Sequence, residues 1–508
     1  MHPSFDKLKA LLAEVADLTF ARLVLGWDLQ VNMPPGGAEG RSLQMSTLSR
    51  LVHTKVTSPE IGSLLEDLQP QAEQLDPDSD EAHLVALARR GYNKISRVPG
   101  EWVSEFSRLT ASAHHVWAEA RAENDFEKFR PQLEKIVEMR RSYAGFFTPY
   151  DHVYDPLLDD YEPGMKTAEV QAIFDVLRQR QTELIRKIGE RPQVNDSFLY
   201  QEYDEGKQWD FGVEVISRFG YDWHHGRQDR SAHPFTSKLA PGDVRITTRV
   251  SRNDLSSALF ATMHECGHAL HGLGLDPALE RTPLGFPIGG GSGGMSQAVS
   301  ESQSRLWENQ VGRSYPFWEY FFPFLASYFP VQLSSVVVED FYKGVNRVKP
   351  SLIRVESDEG TYTLHILLRM ELEIGLMDGS LEARDLPEAW NAGMQKYLGL
   401  APSDDKDGVL QDVHWSSGFI GYFPTYALGN VLAAQLWEQV ERDLPGLYDD
   451  FRRGEFGELL AWLREKVHRH GRKYTAQELV QRVTGESISP EPYLRYLETK
   501  YGEIYGLG

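Results

Sequence analysis

The chain has 508 residues, 41% hydrophobic and 25% charged, with a formal net charge of −21. That is length and apolar content enough for a large core, while the acidity, with no concentrated basic patch, excludes a nucleic-acid-binding protein. No apolar run reaches the ~18 residues of a membrane span, and a single cysteine allows no internal disulfide, which fits a reducing, cytoplasmic setting.

The N-terminal stretch "FDKLKALLAEVADLTFARLVLGW" repeats apolar residues every three or four positions and carries acids among them. That pattern predicts an amphipathic helix rather than a signal peptide. "VNMPPGGAEGR" reads as a turn into the next helix. "DEAHLVALARRGYNKIS", "EWVSEFSRLTASAHHVWAEARAE" and "FEKFRPQLEKIVEMRRSYAGFF" read as further helices, bounded by Pro, Gly or Asp/Asn clusters. The β-branched alternation of "DVRITTRV" predicts a strand. Next come a helix containing "ALFATMHECGHALHGLG", a glycine-rich loop "LGFPIGGGSGGMSQ", and a helix "SESQSRLWENQVG". The rest is helical, broken at "LAPSDDKDG" and "GYFPTYALGN". No repeat or disordered linker interrupts the chain. The simplest architecture is one mainly helical unit with a small central sheet and two lobes flanking a cleft. About the first 190 residues contribute to one lobe, and the remainder, about 191–508, carries the chemistry.

Residues four apart on an α-helix lie about 40° apart around its axis, so His264 and His268 can present two imidazoles to one ion. Glu265 sits beside them, placed to reach a water rather than the ion, which is the mechanical sense of H-E-x-x-H. Such a five-residue pattern arises by chance in roughly a few per cent of chains this long. Here, however, it lies among Leu259, Phe260, Met263, Ala269 and Leu270, where polar groups need partners. His271 is about 10 Å of axial rise from His264, too far to share an ion with it, and reads as a supporting or substrate-facing group. Cys266 points to the opposite side and reads as a small hydrophobe. The sequence lacks the glycine and third histidine of a metzincin, so the third ligand is a carboxylate from a later helix. Spacing leaves Glu301 and Glu308 both open. Gly289, Gly291 and Gly294 satisfy G-x-G-x-x-G, but no strand precedes them, so a dinucleotide site is not expected. A flexible loop beside the site is expected instead.

Several separated motifs together resemble the thermostable carboxypeptidase 1 (Taq-type metallocarboxypeptidase) family of zinc peptidases. "DVRITTR" fits D-x-R-x-T through Asp243, Arg245 and Thr247, and "HECGH" follows at the expected distance. "ESQSR" matches the third-ligand motif, and the resemblance thereby implies Glu301. "IRVESD" fits I-R-x-x-A-D apart from Ser357, and "GVLQDVHW" fits G-x-x-Q-D-x-H-W in full. "LGWDLQVNMP", "GYFPTYALGN" and the C-terminal "LREKVHRHGRKYTAQELVQRVTGE" are similar to that family too. Two departures stand out: Ser300 replaces the usual histidine before the third ligand, and the glycine loop is longer than usual.

The resemblance implies a mainly α, two-lobed, zincin-type metallopeptidase with a deep central groove and a small β-sheet, similar to neurolysin and angiotensin-converting enzyme. It implies one metallocarboxypeptidase unit over 1–508 that releases C-terminal residues from peptides with a free C-terminus, as a cytoplasmic homodimer. It also implies Zn2+, with Co2+ or another divalent metal as a substitute, on His264, His268 and Glu301. Glu265 is the expected general base. His414 and Tyr426, with Tyr422 as a weaker candidate, are the expected oxyanion donors. Arg354 is the expected receiver of the α-carboxylate, then Arg245, with Gln411 as a neutral partner. The rival readings are an endo-acting zinc oligopeptidase on the same scaffold and a non-catalytic peptide-binding relative.

Overall fold

The computed structural model describes residues 3–288 and 296–507, so the G-x-G-x-x-G glycines lie outside the described residues. The first helix, α1, runs Pro3–Val31 and buries Leu8, Leu12 and Val15 along one stripe, as its periodicity predicts. A short 3-10 turn, Pro35–Gly37, follows where the Pro-Gly cluster stands. The three helices expected next are Asp80–Arg97, Gly100–Glu123 and Phe126–Gly145. Ser79 and Asp125 cap two of these by accepting from backbone amides of the first turn.

The sheet has three strands: β1 (Gln228–Arg230), β2 (Thr236–Ala240) and β3 (Asp243–Thr248). Their order is β1-β3-β2, with β1 parallel and β2 antiparallel to β3, so β2 is an edge strand. Helix α2 (Leu255–Leu273) follows, its start fixed by Asp254, which accepts from the amides of Ser256 and Ser257. Helix α3 (Gln297–Arg305) ends sooner than its sequence suggests and continues as a π-helical turn, Leu306–Val311. Beyond it, α4 spans Glu359–Asp378 and α5 spans Pro424–Asp443. The expected break at "GYFPTYALGN" therefore extends only to Phe423, because a proline at the first helical position starts a helix readily.

Two hydrophobic cores divide the molecule. The larger draws on residues from Ala113 to Tyr505 and includes Met263, Cys266 and Ala269 of α2. The smaller unites Phe5, Leu8 and Leu12 of α1 with residues up to Ala88 and with Leu275, Leu279, Leu284, Phe286 and Ile288. The helices from Gly100 onward thus share the larger core with α2, α3 and α5, and the segment after α2 belongs to the small N-terminal core. Among the described residues no helix is long and apolar enough to cross a membrane.

Candidate metal centre

Close helix packing builds the centre. A Cβ on Gly267 would stand 2.5 Å from the Gln303 carbonyl oxygen, so only glycine lets α2 press this tightly against α3. Gly429 does the same for α5, where a Cβ would stand 2.7 Å from the Glu301 Cβ. The result brings one donor atom each from His264, His268 and Glu301 within 4.8 Å of one another. Glu301 Oε2 lies 3.6 Å from His264 Nε2 and 3.4 Å from His268 Nε2. Two imidazoles and a carboxylate converging with their outward nitrogens aimed together fit a divalent cation of the zinc type.

The far side of each ligand is held. His264 Nδ1 lies 2.9 Å from Glu308 Oε2, and His268 Nδ1 lies 3.0 Å from the Ser300 hydroxyl. These contacts fix ring orientation and leave both Nε2 atoms facing the centre. Glu308, the competing ligand candidate, thus stands behind His264 and not beside it. Arg305 donates from Nε to Glu301 Oε1 at 2.8 Å and from Nη1 to Glu308 Oε2 at 3.1 Å. Burial alone would raise the pKa of Glu301, but Arg305, His264 and His268 hold it well below the usual carboxylate range. Glu308 is likewise held down, to about 2, because Arg305 and His264 outweigh its burial. Farther back, the buried Glu162 accepts from the Ala298 amide at 2.7 Å and from Ser296, the cap of α3.

Glu265 is buried, and its Oε2 lies 2.6 Å from the hydroxyl of Thr236 on β2. Thr236 belongs to no motif and escaped the sequence reading; the alternation in "FTSKLA" was its only signal. The ligands open into a cleft of about 550 Å³ lined by Thr236, Lys238, His271, Tyr422 and Tyr426 among others. His271 is buried at its edge and kept neutral, its pKa pushed down to about 3 by burial. Cys266 is fully buried, as its helical position predicts.

The remaining expected residues divide. Tyr422 and Tyr426 line the cleft with ring centroids 5.2 Å apart. His414 does not line it; its ring stacks on Tyr422 and its Nε2 is 3.4 Å from the Tyr426 hydroxyl. Arg354 lies behind Tyr426, with its guanidinium 5.3 Å from the ring centre. It donates from Nε and Nη2 to Asp412 Oδ1 and from Nη1 to the Tyr362 hydroxyl at 3.1 Å. Arg369, which sequence motifs did not mark, donates to the other oxygen of Asp412 at 2.6 Å. Two buried guanidiniums therefore share one carboxylate, and among the described residues neither has a second carboxylate within 4 Å. Gln411 accepts from the Arg354 amide and from Arg369, and donates to the carbonyls of Leu352 and Asp407, so its amide is spent within the protein. Arg245 is not brought to the ligands. It pairs twice with Asp243 at 2.8 Å and lies over the Trp27 ring at 4.4 Å.

Comparison with known proteins identifies the family. The model of the carboxypeptidase Taq (M32) metallopeptidases matches residues 7–501. The chain is 42% identical to thermostable carboxypeptidase 1 of Thermus thermophilus, over 99% of both chains. It is 38% identical to thermostable carboxypeptidase 1 of Pyrococcus furiosus, over 98% of both. The crystal structure of an M32 carboxypeptidase from Deinococcus radiodurans superposes with a TM-score of 0.95 at 41% identity, covering 99% of each chain.

Proposed function

The chain belongs to the carboxypeptidase Taq (M32) metallopeptidase family and is a metallocarboxypeptidase; we propose that it removes C-terminal residues one at a time through a zinc centre on His264, His268 and Glu301. The convergence of those three donors at the floor of the cleft carries this reading. Two imidazoles and a carboxylate suit Zn2+, and Co2+ fits the same set. Bound there, the cation polarises the scissile carbonyl and lowers the pKa of the attacking water.

Glu265 takes the proton of that water on Oε1, since Thr236 holds Oε2, and returns it to the leaving amine nitrogen. Tyr422 and Tyr426 donate their hydroxyl protons to the developing oxyanion. Burial keeps both phenols protonated, pushing Tyr422 up to about 12 and Tyr426 well above its ordinary value. His414, kept neutral by burial with its pKa down to about 3, positions the Tyr426 hydroxyl. The net positive charge of the Arg354–Asp412–Arg369 cluster attracts the free α-carboxylate, with Arg354 nearest the cleft through Tyr426. Gln411 fixes the two arginines, and Arg245 acts only in the sheet. The family resemblance supports a homodimer, and the lone buried cysteine supports a cytoplasmic setting.

The test is a digest of unblocked peptides followed by mass spectrometry. Stepwise C-terminal loss that stops with chelator, returns with Zn2+, and is absent in Glu265→Gln is expected. Loss that survives both treatments overturns the mechanism.

A further inference from the structure

Two cations flank the ligands in opposite directions along α2. On the His264 side, contacts pass from Glu308 to Arg305, from Arg305 to the Tyr362 ring at 4.3 Å, and from Tyr362 to Arg354. On the His268 side stands Lys238 of β2. Strand and helix run side by side, with Thr236 at Glu265 and the Lys238 Cδ 4.0 Å from where a Cβ on Gly272 would sit. Gly272 lies one turn beyond His268, about 6 Å farther along the axis.

The surroundings of this ammonium are unusual. Lys238 lines the cleft with its side chain 21% exposed. Among the described residues its single carboxylate neighbour is Glu280, at 3.8 Å, too long for a hydrogen bond. His271 and His468, which face the same space, are both held neutral by burial. Arg472, the other cation there, is bonded to the carbonyl oxygens of Pro283 and Phe286. Among the described residues the ammonium, which the open cleft leaves in reach of water, has no hydrogen-bonded partner, so its three donors are available to the acceptors of a ligand.

We infer that Lys238 is a specificity-determining residue that receives an acidic side chain, aspartate or glutamate, from one of the two peptide residues preceding the scissile bond. The inference rests on the α-carboxylate binding at the Arg354 end. With that end occupied, the acyl part of the peptide must extend towards Lys238. An extended chain advances about 3.3 Å per residue, so a displacement of about 6 Å corresponds to the second residue back at most. A carboxylate there completes an ion-paired hydrogen bond with the ammonium, where its amide analogue offers only a neutral acceptor.

The experiment measures kcat/KM for N-blocked tetrapeptides with a constant C-terminal leucine, placing Glu or Gln at each of the two preceding positions in turn. A third pair carries Glu or Gln at the C-terminus itself. The expected result is a Glu-over-Gln preference of about tenfold at one of the two internal positions. The preference should fall to about one in Lys238→Met and persist in Lys238→Arg. Because each ratio is taken within one protein preparation, partial misfolding does not alter it. An internal preference that survives Lys238→Met, or no such preference in the wild-type protein, overturns the inference. So does a Lys238-dependent preference confined to the C-terminal residue. Failure of the carboxypeptidase reading would look different, with no leucine released from any peptide.

Discussion

The two ends of the cleft handle positive charge in opposite ways. At one end, Arg354 and Arg369 are buried and locked onto Asp412, Gln411 and Tyr362. At the other, Lys238 reaches into the cleft with, among the described residues, one carboxylate for company, at 3.8 Å. A locked, net-positive cluster suits a group that every substrate carries in the same place, the terminal carboxylate. A loosely held ammonium suits a group that varies between substrates. The ligands repeat the contrast in miniature: His264, towards the locked end, is backed by the carboxylate of Glu308, and His268, towards the loose end, by the hydroxyl of Ser300.

The largest expected effect lies between the ends and should be blind to them. Glu265→Gln is expected to lower kcat by about 1,000-fold or more on every peptide, read from initial rates of amino-acid release. A loss confined to one class of peptide would place Glu265 outside the proton transfer. Next, the locked end should matter to every substrate and to stability. Arg354→Met is expected to cost about 100-fold in kcat/KM. Asp412→Asn, which leaves two buried guanidiniums uncompensated, should destabilise the fold by about 3–5 kcal/mol in denaturant melts. Lys238→Met should change stability by less than about 1 kcal/mol in the same melts. Equal destabilisation at the two ends would erase the contrast.

A smaller difference is expected in metal affinity, measured by competition with a chromophoric chelator. Glu308→Gln should weaken binding about 10- to 100-fold, and Ser300→Ala only about threefold, as loss of one neutral hydrogen bond. A reversed order would mean that the neutral partner holds its histidine harder than the charged one does.

A last effect, read against pH, concerns Glu162, which anchors the start of α3, the helix that serves both halves of the centre. Burial pushes its pKa up from 4.5 to about 8. Between those values the folded protein keeps a proton that the unfolded chain has lost. This group's contribution to stability therefore declines as pH rises through that window and is level above about 8. Glu162→Gln should flatten part of the decline between about pH 5 and about pH 8. An unchanged slope would contradict it.

The two histidines of the candidate metal centre and most helices were legible in the sequence because their signals are local: four-residue spacing, apolar periodicity, caps and prolines; Glu301 was singled out from Glu308 by the family resemblance alone. The start of α5 at Pro424 was legible too, had the proline been read as a first helical residue rather than as part of a break. What the sequence hid are contacts between distant segments. Thr236 meets Glu265 across 29 positions, and Arg369 shares Asp412 with Arg354 across 43. Neither a motif nor a periodicity reports such meetings, because they depend on how helices and strand pack. The π-helical turn at Leu306–Val311 is hidden for the same reason, and it is the turn that carries Glu308 to the back of His264.

The most direct measurement compares matched peptides that differ only in a free carboxylate or an amide at the C-terminus. If the locked cationic end defines an exopeptidase, the free acid is cleaved at its last bond and the amide at least 100-fold more slowly, with that gap nearly closed in Arg354→Met. Equal cleavage of the two peptides by the wild-type protein, or cleavage at internal bonds of the amide, would contradict it.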